Sequence, residues 1–422
     1  MEQVNGPTTT TTTATSNLTS LPHESPYPSV SVDEARHLIL TQSSPPGIEV
    51  IGFTEAYGRV LAETIYADEP VPDSLTATMD GCALRTVGED IAPGECLLTV
   101  GTPLGAVEIG LLATIGRTCI HVYRRPRVAV FSNGSELVEP GMPRQPGRRR
   151  DSNRYALLAA VHEAGGQAIS LDIVHDDERV QREALVRALS RADIVVSSGG
   201  VSVGVRDLVR PLLAEHGTIH FGRVQMKPGQ STTFATVHGR LVFGLPGKPV
   251  SALVAFEVLV RPLLRQLQGD TAPGRPRVRV VLDEPFPSVP DRLSYHRAVV
   301  EWHNGRLTAR STGPQTSSRL LSLRGANALL IGPATDHVYA PGEELDALLI
   351  GTLQSTHPTT SSAKSQAAME KIPAGGMDKQ LHVSYTWVTQ RKDSQRRLFG
   401  IVVGIPFPRA LNWKTPGQAS QW

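Results

Sequence analysis

The stretch Ala192-Asp-Ile-Val-Val-Ser-Ser-Gly-Gly-Val-Ser-Val-Gly204 constrains the fold of this 422-residue chain more than any other. A short β-branched apolar run ends in serines and glycines, and a possible helix follows. That order describes a buried strand that delivers a donor-rich loop to one edge of a sheet. Glycines let the backbone approach a ligand closely, and successive N–H groups beside hydroxyls favour an anion.

The segment around it alternates in the α/β manner. Strands are expected at 127–132, 169–174, 193–197 and 241–245. Asp151, Ser152 and Asn153 offer N-cap side chains for a helix over 155–164, which Gly165-Gly166 stops. Asp176 is read as the cap of the next helix, through 189. Pro249 opens a long helix that Pro262 should kink. Such alternation implies a mostly parallel sheet with right-handed crossovers, and ligands on such sheets bind beyond the carboxyl ends of the strands. The fold class is therefore α/β, a mostly parallel-sheet domain over 126–272. A mixed N-terminal domain over 29–125 precedes it, and short strands over 273–352 read as a small C-terminal β domain. Residues 1–28, with threonine at every position from 8 to 13, cannot bury enough apolar surface to order and are expected to be disordered. The same is expected of the aperiodic tail, 353–422.

Composition excludes several function classes. A formal charge of +2 gives no reason to expect nucleic acid. No apolar run approaches the ~20 residues of a membrane span. Three cysteines, Cys82, Cys96 and Cys119, have no paired spacing, which fits a reduced, cytosolic setting. The histidines include no paired metal spacing.

Five polar, glycine-containing loops each follow an apolar strand or open a helix: Ser132-Asn-Gly-Ser-Glu-Leu137, Arg150-Asp-Ser-Asn153, Ser197-Ser-Gly-Gly-Val-Ser202, Met226-Lys-Pro-Gly229 and Gly244-Leu-Pro-Gly-Lys-Pro249. On a parallel sheet, loops after successive strands converge on one edge. They would offer backbone donors, hydroxyls, the Asp151 carboxylate and a rigidly presented Lys227, a mix that suits a phosphorylated ligand with a divalent cation. Asp151 can serve as a helix cap whether or not it also holds a metal. Arg148-Arg-Arg150 reads as a solvated turn or as an attractor for an anionic substrate.

These loops, in this order, resemble the MoeA / gephyrin E-domain family, as do Gly110-Leu-Leu-Ala-Thr-Ile-Gly116, His220-Phe-Gly-Arg-Val-Gln-Met-Lys-Pro-Gly229 and Ser311-Thr-Gly-Pro-Gln-Thr-Ser-Ser-Arg-Leu320. The resemblance covers roughly 30–352. It implies a homodimeric, cytosolic transferase of molybdenum cofactor biosynthesis, which inserts molybdenum from molybdate into adenylylated molybdopterin and releases AMP with Mg²⁺ or another divalent cation. Its implied catalytic residues are Asp151, Lys227 and Asp80, and its metal ligands Asp151 and Glu89. Substrate binding falls to Ser132, Gly134, Ser152, Asn153, Ser198, Gly199, Gly200, Val201, Ser202, Pro228, Gly229, Pro246, Gly247 and Pro249. Ser132 and the Pro246-Gly247 turn would join Lys227 in holding the oxyanion.

The chain departs from the family's pattern at Ser135, where Asp or Asn is usual, and at Lys248, where Asn is usual. Val205 replaces an acidic residue, with Asp207 nearby. Cys82 takes a tyrosine position, and the family's β insertion subdomain is largely missing near 86, between Asp80 and Glu89. Two rival readings follow: a gephyrin-like scaffold that holds a receptor peptide, and a chain that binds molybdopterin without turning it over.

Overall fold

The computed structural model describes residues 27–44, 47–79, 83–143, 146–200 and 209–355, all within one contact unit that spans 1–358. The expectations of disorder for 1–28 and for the tail fall almost wholly outside the described residues.

A helix over Val32–Thr41 comes first, capped by Ser31 Oγ, which accepts the Glu34 N–H at 3.1 Å. Its apolar face, Val32, Ala35 and Ile39, is buried in the core of the α/β domain rather than in the domain that follows it. That next domain is small. Antiparallel strands Ile48–Gly52 and Cys119–Tyr123 and the helix Ala106–Thr114 surround a core of Leu61, Leu112, Ile120 and Val122. Where the β insertion was expected to be reduced, the chain forms an antiparallel hairpin of Thr76–Met79 and Ala83–Arg85.

The α/β domain runs β1 (Arg127–Ser132), α1 (Asn153–Glu163), β2 (Gln167–Ser170), α2 (Glu178–Arg191), β3 (Ile194–Ser198), α3 (Val209–His216), β4 (Gly217–Phe221), β5 (Thr233–Val237), β6 (Arg240–Leu245), α4 (Pro249–Ala255) and α5 (Arg261–Leu267). The sheet order is β2-β1-β3-β6-β5-β4, with the first four strands parallel and the last two added antiparallel. β1, β3 and β6 are apolar on both faces because helices cover both. Val128, Val130, Ile194, Val196, Phe243 and Leu245 enter one core, while Ala129, Phe131, Val195 and Val242 enter the other.

Three expectations need correction. β2 ends at Ser170, because it pairs with β1 only from Gln167 to Ser170; Val174 makes a lone bridge to Asn133 instead. The cap of α2 is Asp177, whose Oδ1 accepts the Val180 N–H at 3.0 Å, and not Asp176. The long helix is not simply kinked at Pro262. A π-helical stretch, Phe256–Val260, lies between α4 and α5 and absorbs the proline.

The C-terminal strands β7 (Arg277–Leu282), β8 (Leu293–His303), β9 (Arg306–Ser311), β10 (Ala328–Gly332) and β11 (Glu344–Leu349) pair in the order β8-β9-β7-β11-β10, and β10 pairs back with β8. The sheet closes into a barrel around Val280, Ala298, Val300, Leu330 and Ala347. The α/β domain lends it a strand: Met226–Lys227 pairs in parallel with Leu293 and Ser294 of β8.

Candidate active site

The parallel strands end level with one another. Ser198 stands opposite Ser132 on one side and Leu245 on the other. The loops that follow β1, β3 and β6 therefore open onto one edge, around a cavity of about 480 Å³. Asn133 and Gly134 come from the first loop, Gly199 and Gly200 from the second, and Pro246 and Gly247 from the third. Arg149 to Asn153 close it from the start of α1, and Ser318 reaches in from the barrel.

Hydrogen bonds hold these loops to one another. Asn153 Nδ2 donates to Ser198 Oγ at 2.7 Å and to the Gly247 carbonyl at 2.9 Å, so one side chain ties α1 to the ends of β3 and β6. Ser198 Oγ donates onward to the Pro246 carbonyl at 3.3 Å. Gly199 and Gly200 take left-handed backbone, φ +88° and +72°. A Cβ on Gly199 would lie 2.6 Å from the Asn133 carbonyl oxygen, which leaves that position to glycine. Gly247 passes close to Gly199 in turn, its absent Cβ 3.6 Å from the Gly199 Cα. The barrel contributes through the Ser317 carbonyl, which accepts the Val250 N–H of α4 at 3.1 Å.

Asp151 sits deep in the wall, 2% exposed. Its Oδ1 accepts from Ser132 Oγ at 2.9 Å and from the Arg154 N–H at 3.1 Å. Its Oδ2 lies 3.1 Å from Arg154 Nε, close enough for charge pairing but too poorly aligned for a hydrogen bond. Arg154, buried behind it, also donates to Glu139 at 2.6 Å and to the Leu171 carbonyl. Glu139 is held below the usual carboxylate range, first by the Tyr155 hydroxyl and then by Arg154 against some desolvation. The Asp151 carboxylate is thus a helix cap and half of a buried ion pair.

The sequence-predicted residues Ser132, Gly134, Asp151, Ser152, Asn153, Ser198, Gly199, Gly200, Pro246, Gly247 and Pro249 all line this cavity. Asp80, Val201 and Ser202 lie outside the described residues. Lys227, Pro228 and Gly229 do not line it, although Ser231, two residues on, does. Lys227 is exposed on the strand lent to the barrel. Its charge bears on His296, whose imidazole is lowered to about 4 by burial first and then by Arg297 and Lys227. Arg297 is almost fully buried. Its Nε donates to Ser322 Oγ at 3.0 Å and a terminal nitrogen to the Thr316 carbonyl at 3.3 Å, and burial lowers it to about 10. Glu89 is elsewhere: its Oε2 accepts the Thr86 N–H at 2.9 Å and closes its own turn.

These placements bear on the expected divalent cation. No group of three or more metal-ligating side chains occurs among the described residues. Asp151 is already engaged by Ser132 and Arg154, and Glu89 lies outside the cavity. Among the described residues, the donor set does not fit a cation held by side chains alone.

Asn133, Glu136, Asp176, Ser231 and Ser318, absent from the expected site residues, also line the cavity, as do Arg149 and Arg150, which the sequence offered as a possible attractor for an anionic substrate. Asn133, Glu136 and Ser318 lay inside quoted motifs and were passed over. Asp176 had no local signal. It meets Ser135 reciprocally, its N–H donating to Ser135 Oγ at 2.9 Å and its Oδ2 accepting the Ser135 N–H at 3.2 Å.

Three family models match in order: "Probable molybdopterin binding domain" over 129–266, "MoeA N-terminal region (domain I and II)" over 30–87 and "MoeA C-terminal region (domain IV)" over 279–350. Gephyrin of Dictyostelium discoideum is 36% identical over 311 residues, 65% of this chain but only 43% of its own length. Molybdopterin molybdenumtransferase 2 of Mycobacterium tuberculosis is 35% identical over 312 residues, 68% of this chain and 76% of its own. A solved MoeA protein from Pyrococcus horikosii shares the fold, with a TM-score of 0.66 at 24% identity over 77% of this chain and 100% of that one. Three matched segments in order and a relative covered over most of its length carry one conclusion: the chain belongs to the MoeA family of molybdopterin molybdenumtransferases, transferases of molybdenum cofactor biosynthesis.

Proposed function

We propose that this chain inserts molybdenum from molybdate into adenylylated molybdopterin, with release of AMP, in the cavity at the carboxyl edge of the six-stranded sheet. The observation that carries the reading is the convergence there of the Asn133-Gly134, Asp151–Asn153, Gly199-Gly200 and Pro246-Gly247 loops. Two consecutive left-handed glycines turn loop backbone toward the cavity, where no Cβ keeps a phosphate away. Arg149 and Arg150, both exposed, line the cavity and supply positive charge that no carboxylate among the described residues pairs with. Asn153 keeps three loops at fixed spacing, so the cradle is set before substrate arrives.

Lys227 keeps the oxyanion role in this reading from outside the cavity lining, on the strand lent to the barrel. The buried Arg297 guanidinium and the Lys227 ammonium both act on His296, which makes that corner of the barrel positive. Ser132 is less suited to the oxyanion, because its hydroxyl already donates to Asp151. A divalent cation would arrive with the substrate's phosphates in this reading, since the described side chains do not cage one. A cytosolic homodimer completes the proposal. A light-scattering mass of a single chain would rule the dimer out. No contact among the described residues favours receptor-peptide binding over the transferase.

The test is AMP release. Purified protein is incubated with adenylylated molybdopterin and molybdate, with and without Mg²⁺, and the product is assayed by reconstituting a molybdoenzyme. AMP with reconstitution is expected. Tight substrate binding without AMP would remove the transferase and leave a molybdopterin binder.

A further inference from the structure

Six buried side-chain polar atoms lack a hydrogen-bond partner among the described residues; two of them, Asn133 Oδ1 and Asp151 Oδ2, belong to residues that line the cavity, and a third, Arg154 Nε, lies behind Asp151. The last two face each other at 3.1 Å and compensate by charge. Asn133 Oδ1 has no hydrogen-bond donor among the described residues. Its orientation is not arbitrary, because Nδ2 donates to the Gly199 carbonyl at 3.3 Å, and a flipped amide would set oxygen against oxygen. Gly199 and Gly200 press the residue from behind, their absent Cβ atoms falling 3.8 and 3.5 Å from the Asn133 Cβ. The bond to Gly199 is long, so the amide can tilt toward a ligand at small cost.

A buried acceptor left without a donor costs free energy that a ligand donor recovers. We propose that Asn133 is a specificity-determining residue for the substrate, its Oδ1 accepting a hydrogen from an N–H of the pterin. The inference rests on the transferase reading above. Ionised phosphates and molybdate only accept, so an unmet acceptor marks where a heterocycle lies. A pterin presents a ring N–H and an amino group side by side, whereas adenine presents one amino group. The unmet acceptor of Asn133 can take one of those paired donors.

The probe is 6-methylpterin, compared with an analogue in which the ring N–H and the amino hydrogens are replaced by methyl groups. Binding of each to the full chain is measured by calorimetry. The wild-type chain should prefer the hydrogen-bearing pterin by about tenfold, the value of one well-placed hydrogen bond. Asn133→Ala should bring the ratio close to one, and Asn133→Asp, which keeps an acceptor, should restore a preference. If Asn133→Ala does not fold, Asn133→Leu fills the same volume without polar atoms and replaces it. An unchanged ratio in the alanine or leucine variant overturns the proposal, as does weakened AMP binding with the pterin ratio intact. Binding of free pterins needs no turnover, so a wild-type chain that releases no AMP would end the transferase reading without deciding this one.

Discussion

Gly199 shows how little freedom single positions have at this site. Its φ of +88° disfavours any side chain, and a Cβ would strike a backbone oxygen 2.6 Å away, which cannot swing aside. Gly199→Ala should destabilise the chain by about 1–3 kcal/mol and lower AMP release by more than the same change at Gly134. There the obstacle is the flexible end of Glu136. Thermal melts and AMP assays on both variants check the order. Asn153→Ala removes two hydrogen bonds that join three loops; a loss of about 1–2 kcal/mol with a rise in KM is expected, and an unaltered KM would deny it a positioning role. The glycine loop was legible in the sequence because four other polar, glycine-containing loops at strand ends or helix starts point to the same sheet edge. The Ser135–Asp176 pair was not, since 41 residues separate its partners and no local pattern links them.

At the level of elements, adjacent acids have divided their work. Asp177 caps α2, and Asp176, one residue earlier, braces the loop after β1. Capping preference cannot choose between neighbouring aspartates, so the sequence placed the cap one position early. Asp177→Ala should cost about 1 kcal/mol in a melt and leave the KM for substrate alone, whereas Asp176→Ala should raise KM with a smaller loss of stability. Equal effects from both would mean that the two residues share one role. The strands of the sheet core were readable from their double-sided apolar character, but β4 and β5 were not. Their antiparallel pairing is set by contacts across the sheet rather than by a pattern within either strand. The π-helical Phe256–Val260 was hidden for a similar reason. Pro262 announces an irregularity, and packing decides its form.

Across the whole molecule, the order of domains followed from the alternation of strands and helices, whereas their interlocking did not. His296 reports on the junction. Its imidazole protonates near 4 in the folded chain, against an ordinary value of 6.5, because it is buried beside Arg297 and Lys227. Between those values unfolding takes up a proton, so this contribution is whole above about pH 6.5 and is lost as the pH falls toward 4. It amounts to at most about 3 kcal/mol. Melts from pH 7 to 4.5 should show a steeper fall for the wild type than for His296→Gln, and parallel curves would refute the assignment. The strand Met226–Lys227 has a consequence of another kind. It belongs by sequence to the α/β domain and by pairing to the barrel, and Tyr295 of β8 is buried in the α/β core in return. Neither domain can be transplanted cleanly between relatives: a chimera spliced at 272 would inherit its barrel from one parent and the strand completing that barrel from the other.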